Sequence, residues 1–169
     1  MYDLEFTETA MGTWTVLRQT WIAVNRAAEY KLAKVGLTPE KVAVLWACRE
    51  YPATVTPAEL ARLVSRENQT LAGLLNRMEA EGLIMRVPKR KGHPFTEVKL
   101  TPKGEKLAGP GIEIISALIK RLVADMPEEE QKQLQKSLKK LRQKMMDEMH
   151  MEPDKGPPAF KGKPITFKW

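Results

Sequence analysis

The run NQTLAGLLNRMEAEG, from Asn68 to Gly82, constrains the fold more than any other part of the chain. Its apolar residues Leu71, Leu74, Leu75 and Met78 fall at i, i+3, i+4 and i+7, so they share one face of a helix spanning about Asn68 to Glu81. Gly82 stands where a helix end needs a residue that tolerates a left-handed backbone. The opposite face carries Gln69, Gly73 and Asn76, with Asn68, Thr70 and Arg77 on its flanks. Such a helix needs a packing partner for one side and has amide groups to present on the other.

The partner lies just upstream. Thr56-Pro57-Ala58-Glu59 reads as a capping box with proline at the first helical position, and it starts a short helix from Pro57 to Val64. Leu60 and Leu63 of that helix are placed to pack on the apolar face just described, across the polar link Ser65-Arg66-Glu67. Downstream, Leu83 to Val87 and Thr96 to Leu100 are short extended segments. The segment between them, Pro88-Lys89-Arg90-Lys91-Gly92-His93-Pro94, cannot be helical, so the pair forms a hairpin with a basic tip. Two short helices joined by a polar link and followed at once by a basic hairpin have the sequence form of a winged helix-turn-helix.

Longer helices flank this lobe. From Thr13 to about Lys34, Trp14, Leu17, Trp21, Val24, Ala28 and Leu32 recur at spacings of three and four, and Gly36 closes the run. Thr38-Pro39-Glu40 opens a second helix reaching Glu50. Thr101-Pro102 caps a further helix, which Gly109-Pro110-Gly111 is expected to kink or split before Ile112, Ile115, Ile119 and Leu122 continue an apolar stripe. Asp125, Pro127 and three glutamates begin a last helix in which Leu134, Leu138, Leu141, Met145 and Met149 repeat at heptad-like spacing. The fold class is therefore mainly α with a small β-hairpin wing. Its expected parts are an N-terminal dimerisation helix (1–36), a winged helix-turn-helix lobe (37–101), C-terminal dimerisation helices (102–150) and a flexible basic tail (151–169).

The polar face has the chemistry for reading DNA. Asparagine and glutamine can pair with the adenine N6/N7 edge, threonine can meet a thymine methyl or a phosphate, and arginine can reach guanine or the backbone. Gly73 fits the same reading, because a mid-helix glycine costs roughly 1 kcal/mol against alanine unless something approaches closely. At the wing, Arg86, Lys89, Arg90 and Lys91 form a cationic cluster suited to phosphates or a narrow minor groove, with Lys99, Lys103 and Lys106 nearby. The formal net charge of +7 also favours a polyanionic partner.

Other chemistries find little support. No nucleophile–base pair or phosphate-cradling glycine loop stands out, so the chain is expected not to be an enzyme and to need no cofactor. Glu148, His150 and Glu152 are spaced i, i+2 on a helix and diverge, so no metal site is expected. The lone Cys48 excludes an internal disulfide and sits among Val44, Leu45 and Trp46, which favours a core or interface residue over a redox sensor. The acidic start of the chain is unlike a signal peptide and no apolar stretch reaches membrane-spanning length, so a cytoplasmic protein without a membrane partner is expected. Trp14, Trp21, Tyr30 and Trp46 are candidates to line a pocket between the dimer helices and the lobe.

LTPEKVAVLWAC, TPAELARLVSRENQTLAGLLNRMEAEGLIMRV and VKLTPKGEKL, in this order and spacing, resemble the MarR family of winged-helix transcriptional regulators, over roughly Thr13 to Met149. The resemblance implies a homodimer built by the first and last two helices, a recognition helix at Asn68 to Glu81 and a wing at Leu83 to Leu100. It further implies binding to a pseudo-palindromic double-stranded operator, usually as a repressor, with release by a small, often aromatic, effector or by cysteine oxidation. The pattern departs at the wing, where the family's Asp-x-Arg element is replaced by Gly92-His93-Pro94, which leaves Arg90 as the candidate minor-groove arginine. The alternative is a winged-helix module that binds an acidic protein and has lost DNA readout.

Overall fold

The computed structural model describes residues 6–51, 55–64, 68–88, 90–92 and 96–151, with Asn68 described in its backbone only. The chain runs α1 (Thr9–Ala33), α2 (Pro39–Glu50), α3 (Pro57–Leu63), α4 (Asn68–Ala80), β1 (Ile84–Val87), β2 (Glu97–Leu100), α5 (Pro102–Leu122) and α6 (Glu128–Glu148).

Local chemistry sets most boundaries. Thr38, Thr56 and Thr101 each precede a first-turn proline, and each hydroxyl accepts from the backbone N–H three residues on, at 3.3, 3.1 and 3.1 Å. Gly36 and Gly82 take φ of +73° and +70° just past α1 and α4. At the second of these, the N–H groups of Gly82 and Leu83 donate back to Glu79 and Met78 carbonyls, which ties off the helix before β1 begins.

β1 and β2 pair antiparallel with Ile84 opposite Leu100 and Arg86 opposite Val98. The Val98 N–H also donates to the Val55 carbonyl at 2.8 Å, so a residue ahead of α3 extends the sheet edge, a pairing not evident from the sequence. The core lies between α2, α3, α4, the hairpin and the first half of α5, with Leu32, Leu45, Leu60, Leu71, Leu75, Met78, Leu83 and Ile84 essentially sealed. Leu63 is only partly buried against this cluster.

Two expectations about helices change. α1 starts at Thr9, a turn before Thr13, whose hydroxyl instead bonds back to the Thr9 carbonyl inside the helix. α5 runs unbroken through Pro110 and is not split. An internal proline costs about 3 kcal/mol through its missing N–H and steric clash, and tertiary packing outweighs that cost here. Gly104, Ala108 and Gly111 form a buried small-residue stripe that lets α5 press closely on its neighbours. A Cβ at Gly104 would lie 1.9 Å from the Leu83 carbonyl oxygen, and one at Gly111 2.8 Å from Leu37 Cδ1.

The terminal helices pack differently. α6 buries no residue, and α1 buries only Ala28 and Leu32. Trp14, Leu17 and Trp21 of α1, Ile119 and Leu122 of α5, and Leu134, Leu138, Leu141 and Met145 of α6 all stay exposed in the single chain. Among the described residues, no helix is long and apolar enough to cross a membrane.

Candidate nucleic-acid interface

The apolar side of α4 is consumed by the core: Leu71, Leu75 and Met78 are buried and Leu74 nearly so. At 100° per residue this turns Gln69, Gly73 and Asn76 to the opposite side, with Thr70 and Arg77 on one flank. Gln69, Thr70, Asn76 and Arg77 are exposed and Gly73 is half-buried. Asn68 begins this helix, but its side chain lies outside the described residues. Among the described residues a Cβ at Gly73 would meet only Arg77 Nη1, at 3.7 Å, an ordinary contact, so none of them requires glycine there.

The base of the helix is anchored to α5. Thr101 Oγ1 donates to the Gly82 carbonyl at 2.5 Å, and Lys103 Nζ donates to the Glu81 carbonyl at 2.8 Å. Lys41 of α2 adds an ion pair with the Glu81 carboxylate at 2.6 Å. Together with the Gly104 contact, these bonds fix the orientation of α4 relative to α5.

Arg86 occupies a different place from the one its charge suggests. Its Nη2 donates to Glu79 Oε2 at 2.5 Å and to Asn76 Oδ1 at 2.7 Å, its Nε donates to Glu79 Oε2 at 2.9 Å, and its backbone N–H donates to Glu79 Oε1 at 2.9 Å. These bonds hold the Glu79 carboxyl below the usual carboxylate range, the side-chain bond from Arg86 being the largest cause and slight desolvation opposing it. Arg86 is thus a brace between wing and α4, not a cation held out for phosphates. Sequence reading placed it in the cationic cluster because the register that brings it onto Glu79 is a tertiary fact.

Farther along the hairpin, Arg90 and Lys91 are exposed and form no salt bridge among the described residues. Lys89 lies outside the described residues. Lys99 is paired with the buried Glu97 at 2.8 Å. Among the described residues, Arg77 on α4, Arg90 and Lys91 on the wing and Lys106 on the first turns of α5 are exposed cations outside the salt bridges above.

Beneath the flank of α4 opens a cleft of about 440 Å³, lined by Trp21 and Asn25 of α1, Lys41 of α2, and Thr70, Leu74 and Arg77 of α4. Of the four aromatic residues expected at such a pocket, only Trp21 lines it. Trp14 and Tyr30 are 59% and 70% exposed elsewhere on α1, and Trp46 packs against the core. Their spacing on the sequence could not distinguish these destinations, which depend on where α1 leaves the lobe. Burial pushes the Cys48 thiol up to about 12, so it is held protonated, as a partly buried residue packed against the core rather than a thiolate. Among the described residues, no group of three or more His, Cys, Asp or Glu could hold a metal.

The MarR family model matches residues 37–91, which span α2 to the wing. Solved structures resemble most of the chain. The organohalide-sensing transcriptional regulator RdhR in its ligand-free form is 26% identical, with a TM-score of 0.75, over 93% of this chain and 96% of its own. The same regulator bound to 2,4-dichlorophenol matches equally well. MepR of S. aureus, in its complex with DNA, is 22% identical and shares the fold with a TM-score of 0.73, over 82% of this chain and 99% of its own. No curated protein matches the sequence. The winged lobe thus matches the MarR family model, and the chain is similar in fold to these transcriptional regulators over most of its length.

Proposed function

We propose that this protein is a homodimeric, sequence-specific double-stranded DNA-binding transcriptional regulator whose grip on its operator is relieved by a small aromatic effector. The observation that carries the reading is the division of α4. One side is sealed in the core, while Gln69 and Asn76 stay exposed and Gly73 half-buried on the other, and the wing that follows carries exposed Arg90 and Lys91. A helix so presented fits a major groove, and the wing cations fit the adjacent backbone or minor groove. The DNA-bound state of MepR, which shares the fold, supports the same use of the lobe.

The exposed stripes support the dimer. Leu138, Leu141 and Met145 on α6 and Leu17 on α1 border one groove, and α6 has no buried residue of its own, so a second copy is the natural cover. A two-fold dimer would present two α4 helices to a pseudo-palindromic site, about one DNA turn apart. The effector reading rests on the cleft. It is large enough for a single-ring compound, is lined by Trp21, and reaches Thr70 and Arg77 on the flank of α4 itself. A ligand there would favour one angle between α1 and α4, and so one half-site spacing. The dichlorophenol-bound form of RdhR makes chlorinated phenols reasonable first probes. The reading assigns a repressor acting in the cytoplasm, with no catalytic step.

The test is selection of duplexes from a random pool, followed by titration of the selected duplex at two salt concentrations. Counterion release predicts a steep fall in affinity with salt and a large preference over random duplex. Shallow salt dependence with no sequence preference would instead favour a protein-binding module.

A further inference from the structure

The bonds joining Arg86, Glu79 and Asn76 bear on which base α4 reads. Arg86 sits on β1 and reaches across to α4, where one planar guanidinium holds two partners spaced i, i+3: the Glu79 carboxylate and the Asn76 amide oxygen. The Glu79 carboxylate is gripped from three donors of the same residue, so the guanidinium is oriented before any ligand arrives. The Asn76 amide is planar, with oxygen and nitrogen at opposite corners. Drawing Oδ1 onto Arg86 leaves Nδ2, a pure donor, on the side away from the wing.

We propose that Arg86 is a positioning residue for base recognition: it commits the Asn76 oxygen to the wing, so that Asn76 offers a donor to the groove and rejects cytosine. The proposal rests on the DNA-binding reading above and deepens it. An unrestrained asparagine pairs bidentately with adenine, using oxygen and nitrogen together. A donor alone selects for acceptors, which are N7 of either purine, O6 of guanine and O4 of thymine, whereas cytosine presents its N4 amino group. The position facing Asn76 is then defined chiefly by what it excludes.

The experiment is selection from random duplexes with the full chain as wild type, Asn76→Ala, Arg86→Lys and Glu79→Gln. Salt slopes and thermal melts are measured on the same preparations. Wild type is expected to disfavour cytosine about five- to tenfold at one position in each half-site, and Asn76→Ala to erase that bias. Arg86→Lys keeps the charge but cannot hold both partners, so the bias at that position should weaken or move toward adenine. Other positions and the salt slope should stay as they were. Glu79→Gln loosens the guanidinium by a nearly isosteric change and should act in the same direction, which keeps the test intact should Arg86→Lys fold poorly.

An unchanged wild-type pattern in both Arg86→Lys and Glu79→Gln, cytosine excluded while guanine, thymine and adenine are accepted as before, would overturn the proposal. So would an equal loss at every position, which would mark Arg86 as a general support, or a wild type with no cytosine bias where Asn76→Ala acts. Each of these outcomes leaves DNA binding standing. A wild type that selects no duplex at all removes the DNA-binding reading and this proposal together.

Discussion

Gly73→Ala separates what the chain needs from what a ligand of the chain needs. The glycine sits mid-helix on the outward face of α4, and the added Cβ would touch only the mobile end of Arg77, at 3.7 Å. With no clash to offset it, the gain in helix propensity is about 1 kcal/mol per chain. In a protein of this size that amounts to a rise of roughly 2–4 °C in Tm. In the groove the sign reverses. A methyl forced into a close contact costs about 1–3 kcal/mol per site, and a dimer meets it twice. Taking the lower figure, operator Kd should rise by roughly thirtyfold. Calorimetry and fluorescence anisotropy on one preparation read both effects. A higher Tm with unchanged or tighter operator binding would refute the close approach, and a lower Tm would refute the claim that nothing in the fold requires this glycine.

Four further outcomes follow from the geometry. Gly104→Ala should abolish folding or cost several kcal/mol, since its Cβ falls 1.9 Å from backbone at Leu83; circular dichroism during thermal melting reads this. Leu138→Glu, on the exposed stripe of α6, should convert dimer to monomer in sedimentation velocity and weaken operator binding with little change in helix content. Arg90→Ala should weaken operator and random duplex alike and flatten the log–log salt slope by about two per dimer, one phosphate or groove contact per wing. The Cys48 thiol is raised to about 12, so its neutral form is favoured on folding. That stabilisation is fully present below the unfolded thiol value and is lost as pH rises toward the folded one. Native alkylation by iodoacetamide at pH 8 should accordingly be roughly a hundredfold or more slower than in denaturant, and a thiol reacting at the unfolded rate would contradict the burial.

The parts of the fold legible in the sequence were those set by neighbours in the chain. Three Thr-Pro caps and the glycines at 36 and 82 act over a single turn, and the wing strands agree with expectation to within a residue. The i, i+3, i+4, i+7 spacing of Leu71 to Met78 likewise assigns the two faces of α4 without tertiary information. What could not be read was set by distant partners. The continuity of α5 through Pro110 depends on how closely Gly104 and Gly111 approach Leu83, Leu37 and Val42. The engagement of Arg86 depends on wing register, and the separation of Trp21 from Trp14 and Tyr30 depends on the point at which α1 departs from the lobe. In each case residue type was informative about chemistry but silent about who stood opposite.

Methylation interference on the selected duplex tests the placement of α4 most directly, because a methyl on guanine N7 blocks the major groove and leaves the minor groove open. Interference confined to two patches about one helical turn apart, and altered within each patch by Asn76→Ala, is the predicted result. Binding that tolerates N7 methylation throughout the duplex would contradict it and move α4 out of the groove.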